Sequence, residues 1–286
     1  MTTIGTPGEL IAAVPGILGF RPERSLVLVT TIDGMMGPLL RMDLKTADQQ
    51  LGQVVGVLAR NGVETVTAII VDGDLDPGEL ELLLSELELL LLADDIVMHE
   101  TYMVDEIVEG VTWRDGTGHQ GVVTSVYGSE VAAQSVLAGR SLVGTREELE
   151  AEIAVDPQRV QRVEQLIGTV PARYDIAALS ALTDEAIAAF APALTVGPVR
   201  DECYRLAVEQ PSPVWVQIAR ALPDPWRAHA LGIVAFAAYA NSDGPRAGIA
   251  LEAALKTDEV PTMVRLLDSA LQAGLPPQKV RGMFGR

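Results

Sequence analysis

The sequence predicts an α/β fold: an N-terminal mixed-sheet α/β domain over residues 1–145, then an all-helical C-terminal domain over residues 146–286. Three observations carry this expectation. Up to about residue 145, apolar residues switch between alternating and helical spacing, with Gly, Pro and Asp punctuating the runs. Beyond that point the spacing is helical throughout. A chain of 286 residues also exceeds one small domain, so two are the default. The pattern change, with polar Glu147-Glu148 and Asp156-Pro157 nearby, puts the boundary between Gly139 and Pro157.

Thr6-Pro7-Gly8-Glu9 has the form of a helix start, with Thr6 as N-cap, Pro7 at the first position and Glu9 at the third. Pro15-Gly16 should end that helix. Arg24–Ile32 is a leucine and β-branched run closed by the turn signal Asp33-Gly34, which makes Pro38–Leu44 its hairpin partner. Leu51, Val54, Val55 and Leu58 have helix spacing within Ala47–Arg60, and Asn61-Gly62 closes it. The strand Val63–Val71 is continuously apolar in its second half, as a strand covered on both faces should be. Asp76-Pro77 opens a leucine-rich helix over Glu79–Leu92, with leucine on its inner side and Glu79, Glu81, Glu86 and Glu88 interspersed. Ile96–Val104 returns as a strand. Residues 111–114 and 121–124 make a hairpin around Asp115-Gly116-Thr117-Gly118, with Trp113 expected against the core.

Helical signals begin at Ser129-Glu130-Val131-Ala132-Ala133, and Thr145-Arg146-Glu147-Glu148 is a capping box. Further helices are expected at Gln158–Ile167, Ile176–Phe190, Val199–Glu209, Val214–Ala221, Trp226–Ala240, Pro245–Lys256 and Val260–Ala273, the last ended by Gly274 and Pro276-Pro277. Between Trp226 and Gly274, Ala/Leu-rich helices flank Asn241-Ser242-Asp243-Gly244, with Ala247, Ala250 and Ala254 on the second. This is the form of a tetratricopeptide-type hairpin. One unit is legible where an array needs about three, so an ordinary helical bundle is an equal alternative.

Three segments carry a wider resemblance. They are Glu9–Pro15 running on through Gly19–Val27 and Arg41–Leu44; Ser129–Ala133 through Val136–Arg140 to Thr145–Leu149; and the helical end with Asp243-Gly244, Ala250-Leu251, Ala254-Leu255 and Leu266-Leu267. Over nearly the whole chain the sequence resembles actinobacterial domain-of-unknown-function family 4192. The resemblance implies a shared fold and an actinobacterial source, and brings no activity with it. Relatives carry a cysteine-containing insertion after the tryptophan strand, which here shrinks to residues 115–121, so no role of those cysteines transfers.

Composition removes several classes of function. A net charge of −18 is the opposite of the clustered cations that displace counterions from nucleic acid. The longest apolar runs, Leu89–Ala93 and Ala230–Ala240, fall short of the roughly 20 residues a membrane-spanning helix requires. The first residues lack the basic and apolar regions of a secretory signal, so a cytoplasmic location is expected. Cys203 is the single cysteine and forms no internal disulfide. His99, His119 and His229 lack zinc-ligand spacing, and Asp72, Asp74 and Asp76 imitate a calcium loop that Pro77 breaks. Phosphate-cradling glycine motifs and a nucleophile elbow are also missing, and no cofactor is implied.

Two functional readings remain. Hydrophobic residues make up 48% of the chain and mean hydropathy is +0.25, so either the core is large and Ala/Leu/Val-rich or another chain covers part of the surface. The second points to a protein partner or self-association, with the apolar Trp226–Ala240 helix covered by other helices of this chain or another. The alternative is a small anionic-ligand-binding regulator or enzyme. Its residues would be Arg21, Arg24 and Ser25 at the start of the first strand with Arg41 and Asp43 at the end of its partner, because an antiparallel pair brings those ends together. The same residues suit a purely structural ion-pair network that pins the hairpin.

Overall fold

The computed structural model describes residues 5–125, 145–209 and 213–283, which divide into two compact units, Met1–Arg146 and Glu147–Arg286. The first is a mixed α/β layer and the second is all helix. The helix expected from Ser129 lies outside the described residues.

The first unit opens with α1 (Pro7–Leu18). Its capping box is formed: Thr6 accepts from Glu9 N–H, and the Glu9 carboxylate accepts from the Thr6 N–H. The helix runs past Pro15 and ends at Gly19, whose N–H donates to the Pro15 carbonyl at 2.8 Å. Sequence reasoning stopped it too early. Proline costs one backbone bond, but Pro15, Gly16 and Leu18 of the extra turn are all buried, and that burial outweighs the bond.

Six strands follow in the order β2-β1-β3-β4-β5-β6: β1 (Ser25–Ile32), β2 (Met35–Asp43), β3 (Thr65–Val71), β4 (Val97–Val104), β5 (Thr112–Asp115) and β6 (Gln120–Val122). Among the described residues only the central β3–β4 pair is parallel, because α2 (Ala47–Arg60) returns the chain to β3 antiparallel to β1 while α3 (Pro77–Ala93) makes a crossover. Asp33 and Gly34 both take positive φ (51° and 68°), as a two-residue hairpin turn demands. The turn lets β2 start at Met35, three residues earlier than expected. A bulge between Val29 and Thr31 absorbs the irregular stretch around Pro38, whose carbonyl accepts from the Thr30 hydroxyl at 2.7 Å.

Period 2 divides the sheet's apolar residues between two faces. Leu26, Leu28, Val66, Ala68 and Ile70 pack with Leu51, Val55 and Leu58 of α2 and Leu87 and Leu91 of α3. Val27, Val29, Ile69 and Val71 are buried on the other side. The N-terminus of α1 meets the last strand: the Gly8 carbonyl accepts from Thr124, and a Cβ on Gly8 would stand 2.3 Å from the Val122 carbonyl oxygen. Trp113 is half-buried, a shallower placement than the core position its sequence context suggests.

The second unit comprises α4 (Arg146–Glu152), α5 (Pro157–Leu166), α6 (Asp184–Phe190), α7 (Gly197–Glu209), α8 (Val214–Ala221), α9 (Trp226–Ala240), α10 (Gly244–Leu255), α11 (Thr262–Gln272) and α12 (Pro277–Arg281). The segment expected as one helix from Ile176 is a 3-10 turn over Ile176–Ala181 followed by α6. Leu182 takes φ 49°, and Thr183 caps the new helix on Ala186 N–H. Pro277 starts α12 rather than only ending α11.

Helix α9 is the axis of this unit. It packs against α7, α8, α10, α11 and α12, so its apolar faces are covered by this chain. Ala247, Ala250 and Ala254 of α10 are fully buried, and their small side chains let the α9–α10 hairpin close tightly. Gly232 serves the same end: a Cβ there would stand 2.8 Å from Tyr204 Oη and 3.0 Å from Val264 Cγ2. Tyr204 meets Phe236 edge to face at 5.3 Å, and the Tyr239 hydroxyl lies 2.7 Å from the Leu275 carbonyl and 3.1 Å from that of Ala270.

Candidate functional site

The register of the first hairpin sets Ser25 directly opposite Asp43, with Arg41 two residues back on the same face of β2. Ser25 is fully buried; its hydroxyl donates to the Glu23 carbonyl at 2.6 Å and accepts from Arg41 Nε at 2.7 Å. A second Arg41 nitrogen reaches the Glu23 carbonyl at 3.4 Å and lies 3.7 Å from the Asp43 carboxylate. Asp43 also accepts from the Lys45 N–H at 3.1 Å, which caps the 3-10 turn Leu44–Thr46 leading into α2.

The fold therefore brings Ser25, Arg41 and Asp43 together and adds the Glu23 carbonyl, a turn acceptor of the kind a network pinning the hairpin would satisfy. Arg21 and Arg24 stay outside this bonded set. Arg24 is exposed and takes φ 41°, and its carbonyl accepts from Leu44 N–H at 2.9 Å, so its backbone rather than its side chain ties the strand ends together. Chemically the set is a donor fork held by a hydroxyl, a carbonyl and a carboxylate. It locks the start of β1 to the end of β2.

In the second unit, a shallow cleft of about 340 Å³ is lined by Glu150, Asp224, Arg227, Glu252 and Lys256, among others. Arg227 donates to the Ile153 carbonyl at 3.0 Å, while its buried Nε has no hydrogen-bond partner among the described residues. Burial lowers the Arg227 pKa against the opposing pull of Asp224, and burial raises that of Asp224. With carboxylates and cations interspersed, the cleft does not favour a ligand of one charge.

Several other charged groups bond to one another. Asp184 bridges Arg159 at 2.8 Å and Arg162 at 2.7 Å, and Arg246 spans Glu152 at 3.2 Å and Asp243 at 3.1 Å. Asp76 caps α3, and Asp72 accepts from Asp74 N–H. Cys203 is buried, and desolvation pushes its thiol up to about 12, far from a reactive thiolate. Among the described residues there is no group of three or more His, Cys, Asp or Glu side chains placed to hold a metal ion. No helix there is long and apolar enough to cross a membrane.

One surface departs from the sequence expectation. Leucine was expected on the inner side of α3, yet Leu82, Leu89 and Leu92 are 74%, 68% and 70% exposed. Their signal was present as a second stripe at i, i+7 and i+10 beside the buried Leu87–Leu91 stripe.

The family model described as Domain of unknown function (DUF4192) matches residues 7–175 and 169–278. The chain belongs to this family. No curated protein and no solved structure matches the sequence. The DUF4192 match thus spans the sheet, the Arg41–Ser25 set and nearly all of the helical unit, and its description assigns chemistry to none of them.

Proposed function

We propose that the protein acts by contact with another protein, as an interaction or assembly component rather than as an enzyme. The observation that carries this reading is the exposed leucine row of α3, on a helix already anchored to the core by its opposite side. Isolated exposed leucines are ordinary, but three aligned along one helix face, with Ser85 between the first two, make an apolar row. The helical unit, a bundle packed around α9, is also suited to protein contacts. The net charge of −18 keeps an apolar surface soluble without removing it.

Sedimentation velocity tests the reading, using the full chain at micromolar concentration, alone and mixed with a lysate of its source cells. A species heavier than the 30.4 kDa chain supports it; a monomer under both conditions overturns it.

The anionic-ligand reading draws on one observation of its own. Arg24 precedes Ser25 in sequence and is exposed, and its side chain is absent from the bonds that hold the Arg41 set. Thermal stabilisation by phosphate or a nucleotide, lost in Arg24→Ala, is the result that would favour it.

A further inference from the structure

Helix α3 carries two apolar stripes on opposite sides. Leu87 and Leu91 are fully buried against the sheet and α2, with Leu80, Leu83, Leu84 and Leu90 packed beside them. Outside, Leu82, Ser85, Leu89 and Leu92 follow the 3-4-3 spacing of a coiled-coil seam, and all four are exposed. The positions flanking this seam are acidic on both sides: Glu81 and Glu88 along one edge, Glu79 and Glu86 along the other, all exposed. Pro77–Ala93 contains no lysine, arginine or histidine, and Asp94 and Asp95 extend the negative charge past its end.

We propose that this Leu82–Leu89–Leu92 ridge is the docking face for an amphipathic helix whose own apolar stripe is flanked by lysine and arginine. The assignment rests on the reading of the protein as an interaction component and names the partner's chemistry. Charge chooses among the occupants. A second copy, laid parallel or antiparallel along the seam, would set glutamate rows against glutamate rows, and like charges at flanking positions oppose pairing. A membrane surface carries anionic headgroups, which repel the same carboxylates. A basic helix buries the three leucines and pairs its flanking cations with both acidic edges, so apolar area and electrostatics favour the same complex.

The test uses the full chain and a labelled synthetic peptide of about three heptads, with leucine at the seam positions and lysine at the flanking ones. A matched peptide with glutamate at the flanks is the control. Anisotropy titration should show saturable binding of the lysine peptide alone, weakening as salt is added. The Leu82→Gln/Leu89→Gln variant should bind at least about tenfold more weakly. Both residues are solvent-exposed, so circular dichroism and melting temperature should stay at wild-type values. Glu86→Lys/Glu88→Lys should move the preference toward the glutamate peptide. Equal binding of both peptides, binding of neither, or wild-type affinity in the leucine variant overturns the assignment. It is equally overturned by a homodimer, or by binding to phosphatidylserine vesicles, that the leucine variant abolishes. A chain that sediments in a larger assembly yet ignores the lysine peptide would leave the interaction reading standing and remove this one.

Discussion

Trp113 stands edge-on to Tyr102, their ring centroids 5.4 Å apart and their planes at 79°, with its indole lying across Gly121 of the neighbouring strand. Tyr102 belongs to β4 and Gly121 to β6, so one side chain fastens the last three strands together. A Cβ on Gly121 would come within 2.6 Å of the indole ring. Trp113→Ala should therefore cost about 2–3 kcal/mol, below the value for a fully buried tryptophan, and Gly121→Ala about 1–3 kcal/mol. Urea unfolding followed by circular dichroism measures both.

The Ser25–Arg41 bond should appear as an energetic coupling. Ser25→Ala removes an acceptor from a mostly buried guanidinium and a donor from the Glu23 carbonyl, and should lower stability by about 2 kcal/mol. Arg41→Ala should lower it by a similar or smaller amount. In a double-mutant cycle the pair should deviate from additivity by about 1 kcal/mol. Strict additivity would show that the two side chains are independent.

At Gly232 two effects compete. Alanine is the better helix former by about 1 kcal/mol. The added methyl, however, meets Tyr204 and Val264, both fully buried. Overpacking of this kind costs typically 1–3 kcal/mol, so Gly232→Ala should leave the melting temperature lower than wild type. A higher melting temperature would mean that Tyr204 yields.

Acid should weaken the β5–β6 hairpin in a defined window. Partial burial raises the Asp115 pKa, but hydrogen bonds from the Thr117 hydroxyl and N–H and from His119 outweigh it and hold it at about 2, below the ordinary 3.8. As pH falls, the unfolded chain takes up this proton first. The carboxylate's contribution to stability is therefore complete above about pH 4 and is lost between about pH 4 and 2. The stability gap between wild type and Asp115→Asn should be constant at neutral pH and close within that window. Urea titrations at a series of pH values read it directly.

Much of this architecture was legible because local signals agreed. Thr6 and Glu9 mark a cap, Asp33-Gly34 marks a hairpin, and Ala47–Arg60 was read to its observed ends. The hairpin also made the meeting of Ser25, Arg41 and Asp43 predictable, since register follows from the turn. What stayed hidden depends on the rest of the molecule. A leucine-rich helix does not announce which stripe faces in, so Leu82 and Leu89 read like Leu87 until the sheet is in place. Burial all round α9 was readable, but not which helices supply it. Arg21 and Arg24 sat beside the cluster in sequence and outside it in space, because the left-handed turn at Arg24 is a backbone event.

The irregularity in β2 bears on strand-to-strand pairing between copies of so apolar a chain. This strand is an outer edge of the sheet, where a flat run of free N–H and C=O groups would template the next molecule. Pro38 has no N–H for the ladder and its carbonyl accepts from Thr30 of β1, so regular pairing breaks here and the bulge twists β2 out of the plane a neighbour would need. Strand-to-strand growth, the route to fibrous aggregates, is thereby discouraged on that side. Encounters with other chains are left to surfaces whose geometry and charge can be selective.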